Sequence, residues 1–266
     1  LVTGLKTDAP ASNLFGVNLV LAICVMFSFV VCCGDVSTAF LAGEMMTREL
    51  YLRLPFQGFK SSTIQCAPYS LMRLKKSVYG LADAPRAWYC RFSKIIASVG
   101  FSVCSVIPTV WVLREKDGTL CGVLTLHVDD VLVGGRGSLF NDAMAAIRSA
   151  VTFGSWKERT FTFLGRQIFQ GDDFTITLTM EYFVSPIVVS DTRTDDEAPC
   201  TPEEKSLMLR FTGQLDWYAR NLRMDLSFAS SYLKQCMPDL RVKHLHLANL
   251  VLKRSQHYDY CVHLPF

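Results

Sequence analysis

The chain has 266 residues, of which 50% are hydrophobic and 19% are charged, and its formal net charge is +3. This composition excludes a disordered tail protein and leaves two classes, a globular protein with much buried sheet or a membrane protein. The net charge is too small to indicate a nucleic-acid partner by itself, so an argument for one depends on local clusters of basic residues.

The first predicted element is an uncharged run from residue 14 to residue 33, which has the length of a membrane span. One interpretation is a single transmembrane helix, which would make the chain a membrane-anchored protein. The other is a buried helix over 14–25, capped by Ser12 and Asn13, followed by a buried strand rich in aromatic and β-branched residues. Because Asp35 follows directly and no Lys or Arg beside it anchors a span, we favour the second interpretation and do not expect a membrane partner.

Short strands and helices alternate from this point to about residue 179. The expected helices are 38–46, 85–99 and 141–151, and the expected strands are 50–54, 110–113, 120–127, 131–133, 161–170 and 174–179. Asp-Gly at 117–118 and Gly-Asp-Asp at 171–173 each predict a hairpin between the flanking strands. Residues 60–70 and the glycine-rich run 134–137 are expected to be loops.

Only helices are predicted after residue 180. They are residues 181–189, 206–235 with a break near Arg223, and 241–257. The charged stretch 192–204 contains two prolines and is the best candidate for a linker. We therefore predict an α+β fold in two domains, residues 1–179 and residues 180–266.

Two adjacent carboxylates, Asp129 and Asp130, lie between two very apolar strands and are expected at the turn of a hairpin. The two carboxylates repel each other, and half-burying them costs free energy unless a cation neutralises their charge. Asp35 also follows directly on an apolar strand. Three carboxylates at the ends of neighbouring strands could hold two divalent ions for nucleotidyl transfer. An Asp pair is also common in a solvated turn, and spacing alone does not show that Asp35 meets Asp129.

Several sequence blocks around these acids occur in the order seen in one known family, and together they cover about residues 7–257. The chain resembles the copia-type retrotransposon reverse transcriptases. The matching blocks are Asp35-Val-Ser-Thr-Ala-Phe-Leu (the first catalytic motif), residues 50–59, the highly recognisable block 74–89, Gly100-Phe101 with Pro108-Thr109, His127-Val-Asp-Asp130 (the Asp-Asp hairpin), Phe163-Leu-Gly165 (the primer-grip strand), and residues 213–218 with 223–229 (the helical region before the RNase H domain).

The resemblance implies an RNA-directed DNA polymerase that works by two-metal nucleotidyl transfer with Mg²⁺ or Mn²⁺. It implies a palm with a remnant of the fingers over residues 1–179, and a helical thumb or connection region over 180–266. The implied partners are an RNA/DNA template-primer and deoxynucleoside triphosphates. The implied metal ligands are Asp35, Asp129 and Asp130, with the backbone carbonyl of Val36.

The resemblance also implies two further groups of site residues. The nucleotide-binding group is Phe40, Tyr79, Gly80 and Leu81. Phe40 would lie under the incoming sugar, where a ring excludes a 2′-hydroxyl; an ordinary core phenylalanine is the alternative, as is a simple turn at Gly80. The nucleic-acid-binding group is Lys75, Lys76, Arg86, Phe163, Leu164 and Gly165. Basic residues interleaved with aromatic ones suit phosphate contact and base stacking, although a solvated helix face gives the same pattern.

The chain departs from the family pattern at three places. His127 stands where the family usually has Tyr, and Ala82-Asp83 stands where it commonly has Lys-Gln. The family's fingers strands before Asp35, and its RNase H and integrase segments, are not recognised in the chain. We therefore expect a truncated chain whose partners include the fingers and RNase H segments of a parent polyprotein.

These departures leave a second functional hypothesis, a catalytically inactive retroelement remnant that acts at most as a nucleic-acid-binding domain. The ten cysteines include no Cys-x-x-Cys pair, which favours a reducing compartment. The expected location is the cytoplasm, with a virus-like particle or the nucleus as alternatives.

Overall fold

The computed structural model describes residues 4–61, 63–180, 193–257 and 261–265. Their helices and antiparallel sheets confirm the predicted α+β class. The chain divides into two compact units, Leu1–Cys24 with Phe29–Lys157, and Val25–Ser28 with Glu158–Phe266. The division of the chain at residue 179 into palm and thumb stays a prediction about subdomains.

Six α-helices and fourteen strands are formed by the described residues. The helices are α1 (Leu14–Met26), α2 (Ala84–Ser98), α3 (Ser138–Ala150), α4 (Pro202–Asn221), α5 (Ser227–Gln235) and α6 (Val242–His257). The strands are β1 (Val30–Val36), β2 (Tyr51–Arg53), β3 (Phe59–Lys60), β4 (Gln65–Cys66), β5 (Leu71–Arg73), β6 (Ser102–Val103), β7 (Val110–Arg114), β8 (Leu120–His127), β9 (Asp130–Gly135), β10 (Phe153–Glu158), β11 (Thr160–Phe163), β12 (Arg166–Gln170), β13 (Ile176–Thr179) and β14 (Val262–Leu264).

The first unit is built around a six-stranded sheet in the order β10-β1-β9-β8-β7-β6. Helices cover both faces of this sheet. Successive residues of a strand point to opposite faces, so the neighbours of Gly134 and Gly135 identify the helix on each side. A Cβ at Gly134 would lie 2.4 Å from Cys24 Sγ of α1, and a Cβ at Gly135 would lie 2.4 Å from the Phe140 ring of α3. α1 therefore packs on one face of β9 and α3 on the other.

The helix α2 shares the α3 face of the sheet and contributes the largest core side chains. Trp88, Phe92 and Ile96 recur at a spacing of four residues, which places them on one side of the helix. All three are buried in the same cluster as Phe140 and Ile147 of α3. The helix begins at Ala84 and Pro85 and is followed by Gly100 with a φ of +98°, as the sequence pattern predicts.

The uncharged run at 14–33 is divided between a helix and a strand, as the buried interpretation predicts. α1 ends at Met26, and β1 begins at Val30. In the part of the chain that the structure describes, no helix combines the length and the apolar character that a bilayer crossing needs.

The second unit contains a four-stranded antiparallel sheet, β11-β12-β13-β14, and the helices α4, α5 and α6. α4 starts with a capping box, in which Thr201 Oγ1 accepts from the Glu204 N–H and the Glu204 carboxylate accepts from the Thr201 N–H. The predicted break near Arg223 is confirmed, because α4 ends at Asn221 and a 3₁₀ turn at Met224–Leu226 precedes α5.

Several predicted boundaries are wrong, and each has a local cause. The strand predicted over 161–170 is a hairpin, because Leu164 and Gly165 have φ of +48° and +79° and turn the chain back. Gly134 and Gly135 belong to β9, so the predicted loop starts only at Arg136. Within the helix expected over 38–46, the structure has a single 3₁₀ turn at Ala39–Ala42. The loop expected at 60–70 contains β4 and the end of β3. The strands β5, β6, β10 and β14 were not predicted. The helix predicted over 181–189 lies outside the described residues.

We expect Gly135→Ala to lower the free energy of unfolding by about 1–3 kcal/mol, because core overpacking costs that much. The added Cβ would lie 2.4 Å from Phe140 and 2.6 Å from the backbone oxygen of Cys121. Urea unfolding followed by circular dichroism measures the change. Gly16→Ala in α1 is the control, since the nearest atoms to its Cβ would be at 3.4 Å, and we expect it to be neutral or stabilising. Equal losses in both variants would contradict the packing explanation.

Candidate functional site

The carboxylates of Asp35 and Asp130 lie on neighbouring strands at the same end of the sheet. β1 pairs with β9 in the antiparallel register that makes Asp35 and Asp130 partners, and β9 pairs with β8 so that Asp130 is also the partner of His127. Paired residues of antiparallel strands project to the same face. Asp130 therefore lies between Asp35 and His127 on one face of the sheet.

Asp129 lies in the two-residue loop between β8 and β9, beside Asp130. Its backbone carbonyl accepts a hydrogen bond from the N–H of Val36, at 3.0 Å. This bond ties the loop to the end of β1, the strand that carries Asp35. Three acids that lie far apart in the sequence are thus brought to one edge of the sheet by backbone pairing.

The electrostatics of this edge reflect burial and crowded negative charge. Burial raises the pKa of Asp130, the charges of Asp129 and Asp35 raise it further, and His127 lowers it. Cys33 lies two residues before Asp35 on β1, and the pKa of its thiol is shifted in the same direction. Burial, followed by the charge of Asp130, raises the pKa of the Cys33 thiol to about 12. The acids are therefore close enough to interact, and a cation among them would relieve their repulsion.

The donor chemistry of the three acids fits Mg²⁺ or Mn²⁺, which prefer carboxylate and carbonyl oxygens. The side chains have not converged into a complete site, however. Within the described ranges, no group of three or more His, Cys, Asp or Glu side chains is arranged to hold a metal ion.

The loop that carries Asp129 has an unusual backbone. Val128, its first residue, has a φ of +58°, in the left-handed region where hairpin loops favour glycine. A β-branched residue there costs on the order of 1–3 kcal/mol. The Val128 carbonyl accepts a hydrogen bond from Nε1 of Trp88, at 2.7 Å. The sequence did not point to this bond, because it joins residues forty positions apart.

The segment just before α1 also contacts β8, the first strand of the hairpin. The N–H of Ser12 donates to the carbonyl of Leu126 at 2.9 Å, and the Ser12 carbonyl lies 2.9 Å from Nδ1 of His127. Thr125, fully buried, places its hydroxyl 2.8 Å from that of Ser12. The residue that replaces the family's Tyr is thus anchored by the chain just before α1.

The predicted nucleotide-binding residues lie on two segments of the first unit, and two of them are in contact. The rings of Phe40 and Tyr79 are 4.9 Å apart between centroids, inclined at 51°. Phe40 is half-buried and Tyr79 is exposed. Gly80 has a φ of +93°, and a Cβ there would meet no atom within 4 Å. Gly80 and the half-buried Leu81 therefore border open space before α2.

The predicted basic cluster is partly neutralised by neighbouring groups. Arg86 pairs with Asp8 at 2.8 Å and also donates to the Asp8 carbonyl at 2.9 Å. Lys75 is exposed and Lys76 is half-buried, and neither forms an ion pair with any described residue. Of the three cations, Lys75 and Lys76 are thus the two whose charge no described acid neutralises.

The negative charge that Asp83 introduces is matched by a basic residue. Arg48 binds Asp83 through two hydrogen bonds, Nη2 to Oδ1 at 2.8 Å and Nε to Oδ2 at 3.1 Å. Such a fork is among the stronger polar contacts in proteins. The departure from the family's Lys-Gln therefore adds no unbalanced charge at the start of α2.

The remaining predicted residues, Phe163, Leu164 and Gly165, form the β11–β12 hairpin of the second unit. Phe163 is buried, whereas Leu164 is half-buried and Gly165 is exposed at the tip. A Cβ on Gly165 would lie 3.8 Å from Nε1 of Trp217. The exposed tip therefore lies beside an indole ring of α4.

Residues 3–205 match the sequence model of a family described as reverse transcriptase (RNA-dependent DNA polymerase). The chain is 33% identical over 131 residues to the retrovirus-related Pol polyprotein from transposon RE2 of Arabidopsis thaliana. It is 30% identical over 128 residues to that from transposon TNT 1-94 of Nicotiana tabacum. These matches cover 49% and 48% of this chain but only 8% and 9% of the two polyproteins. The matched segment thus spans less than a tenth of their length.

A shorter relative matches more of the chain. A putative transposon Ty5-1 protein of Saccharomyces cerevisiae is 25% identical over 236 residues, which is 82% of this chain and 74% of that protein.

We expect Arg48 and Asp83 to stabilise the first unit jointly. A double-mutant cycle with Arg48→Ala and Asp83→Ala should give a coupling of about 1 kcal/mol, because the contact is bidentate and largely shielded from solvent. The matched control is the single-bonded pair of Arg73 and Glu49, whose side chains are 58% and 62% exposed. Its coupling should stay below about 0.5 kcal/mol. Urea unfolding measures both cycles, and equal couplings would contradict the distinction.

Proposed function

This chain belongs to the reverse transcriptase (RNA-dependent DNA polymerase) family, and we propose that its Asp-Asp hairpin is a centre for RNA-directed DNA synthesis. The observation that carries the proposal is the pairing of Asp35 with Asp130 on adjacent strands, with Asp129 tied to Val36 by a backbone hydrogen bond. The sheet thereby supplies three carboxylates at one edge. Two-metal nucleotidyl transfer uses such an edge.

In this proposal the carboxylates of Asp35, Asp129 and Asp130, with the backbone carbonyl of Val36, would hold two Mg²⁺ or Mn²⁺ ions. When bound, the ions activate the primer 3′-hydroxyl and neutralise charge on the triphosphate and the departing pyrophosphate. The chain's own contribution is to fix the spacing of the acids through backbone pairing. The half-buried setting of the acids strengthens their electrostatic effect on bound ions.

The incoming deoxynucleotide is proposed to bind beside Phe40, Tyr79, Gly80 and Leu81. The contact between the Phe40 and Tyr79 rings supports one shared surface. Open space at Gly80 allows a ligand to approach the backbone closely. A ring under the sugar would exclude a 2′-hydroxyl, so Phe40 is the residue that selects deoxynucleotides.

The template-primer is proposed to contact Lys75, Lys76 and Arg86 in the first unit and Phe163-Leu164-Gly165 in the second. Lys75 is exposed and Lys76 half-buried, and neither is paired with a described acid, which suits contact with phosphate. Arg86 would exchange its pair with Asp8 for a phosphate. The palm and thumb assignments, and partners supplied by a parent Pol polyprotein, belong to the same proposal.

We expect Asp129→Asn and Asp130→Asn to reduce DNA synthesis by about a thousandfold or more, because each removes a charge that the metal ions require. Their thermal stability should be unchanged or higher, since each substitution relieves repulsion among the acids. Primer extension on an RNA template with deoxynucleotides and Mg²⁺ or Mn²⁺ measures the loss. Asp142→Asn, on the exposed side of α3, is the control and should keep full activity.

Retained synthesis in both hairpin variants would overturn the assignment of the acids. No synthesis from the folded, unsubstituted chain would instead favour the hypothesis of a catalytically inactive retroelement remnant. Adding the fingers segment in trans would then test whether that segment is what the chain lacks.

We expect Phe40→Ala to raise the use of ribonucleotides relative to deoxynucleotides by about tenfold, because it removes the ring proposed to exclude the 2′-hydroxyl. Single-nucleotide incorporation with matched ribo- and deoxynucleoside triphosphates gives the ratio. Phe56→Ala is the control, because Phe56 is an aromatic residue of the first unit that lies outside the proposed nucleotide-binding group. An unchanged ratio in Phe40→Ala would remove Phe40 from the nucleotide site.

A further inference from the structure

We propose that Trp88 is a positioning residue for the Asp-Asp hairpin, acting through its indole hydrogen bond to the Val128 carbonyl. This inference rests on the proposed function, because it concerns how the same hairpin presents Asp129 and Asp130.

The conformation that must be held is that of Val128. Its φ of +58° is one that glycine adopts freely and that a β-branched residue resists. Without a compensating contact, the loop between β8 and β9 would populate other backbone conformations. The carbonyl of Val128 receives that contact from Trp88 at 2.7 Å.

The donor is rigidly placed. Trp88 is 1% exposed and lies on the core side of α2. Its ring stacks on Phe92 with centroids 5.0 Å apart and an interplanar angle of 27°. A side chain fixed in this way loses little further freedom when it donates a hydrogen bond. The indole therefore acts as a fixed point to which the loop is attached.

The effect on Asp129 follows from the planarity of the peptide bond. The carbonyl of Val128 and the N–H of Asp129 belong to one peptide plane, so the bond from Trp88 orients that plane. The next plane contains the Asp129 carbonyl, which the Val36 N–H holds at 3.0 Å. Both planes that flank Asp129 are thus anchored, one to α2 and the other to the strand of Asp35.

A second buried tryptophan provides a matched control for the hydrogen bond of Trp88. Trp111 is also a buried indole of the same core cluster, but its Nε1 has no hydrogen-bond partner among the described residues. Replacing either tryptophan by Phe removes a similar volume of side chain. Only the replacement at 88 removes a hydrogen bond to the hairpin.

The first test compares Trp88→Phe with Trp111→Phe in primer extension. We expect Trp88→Phe to lower kcat about tenfold with little change in KM for the nucleotide, because an unpaired Val128 carbonyl depopulates the competent loop. Trp111→Phe should change kcat by less than about twofold. Equal losses of kcat in the two variants would overturn the proposal.

The second test uses Val128→Gly, which removes the strain that the bond offsets. In that background Trp88→Phe should cost about twofold in kcat instead of about tenfold. A Trp88 that served only as core packing would cost the same in both backgrounds. An undiminished effect of Trp88→Phe would therefore overturn the proposal.

The third test does not depend on catalysis and so separates this proposal from the proposed function. In ¹⁵N-labelled protein, Trp88→Phe should shift or broaden the amide signals of residues 127–130, and Trp111→Phe should leave them in place. If the unsubstituted chain makes no DNA but these signals change as expected, only the proposed function fails. Unchanged signals in Trp88→Phe overturn the positioning role. If Trp88→Phe does not fold, benzothienylalanine at position 88 keeps the ring shape, removes the N–H and gives the same comparison.

Discussion

The antiparallel register between β1 and β9 is the constraint on which the rest of the site depends. It makes Asp35 the partner of Asp130, and it brings the Val36 N–H to the carbonyl of Asp129. Because the side-chain period of a strand is two residues, a slip of one residue would send Asp35 to the opposite face of the sheet. Apolar residues on both faces of the sheet hold this register. The packing of the core therefore also determines where the acids lie.

Close packing around Asp35 leaves no room for a side chain at Gly34 or Gly154. Gly34, the residue before Asp35, faces Trp156 and Phe153, with 2.5 Å between a Cβ built there and the Trp156 ring. Gly154 allows a similar approach, since its Cβ would lie 2.6 Å from Ser37 Oγ and 3.3 Å from Asp35 Oδ2. The backbone of β10 can thus lie close beside the Asp35 carboxylate. Small residues here serve the geometry of the acid and not the flexibility of the chain.

The sequence predicts the helices and hairpins that depend on the local spacing of apolar residues. The amphipathic spacing of Trp88, Phe92 and Ile96 predicts α2, and two apolar runs around Asp129 predict the hairpin. The sequence does not predict contacts between distant segments. The pairing of Asp35 with Asp130 and the bond from Trp88 to Val128 both depend on tertiary packing. The turn at Leu164 and Gly165 was not predicted, because leucine gives no local signal for a turn and a single glycine inside an apolar run is only a weak one.

The high pKa of Cys33 has a chemical consequence for the strand that carries Asp35. Because its pKa is raised, the Cys33 thiol is less ionised at neutral pH than an ordinary cysteine. Oxidation by peroxide and attack on electrophiles both proceed through the thiolate. The burial and the negative charge around the acids therefore also lower the reactivity of this thiol. Oxidants that modify ordinary cysteines should therefore react more slowly with Cys33.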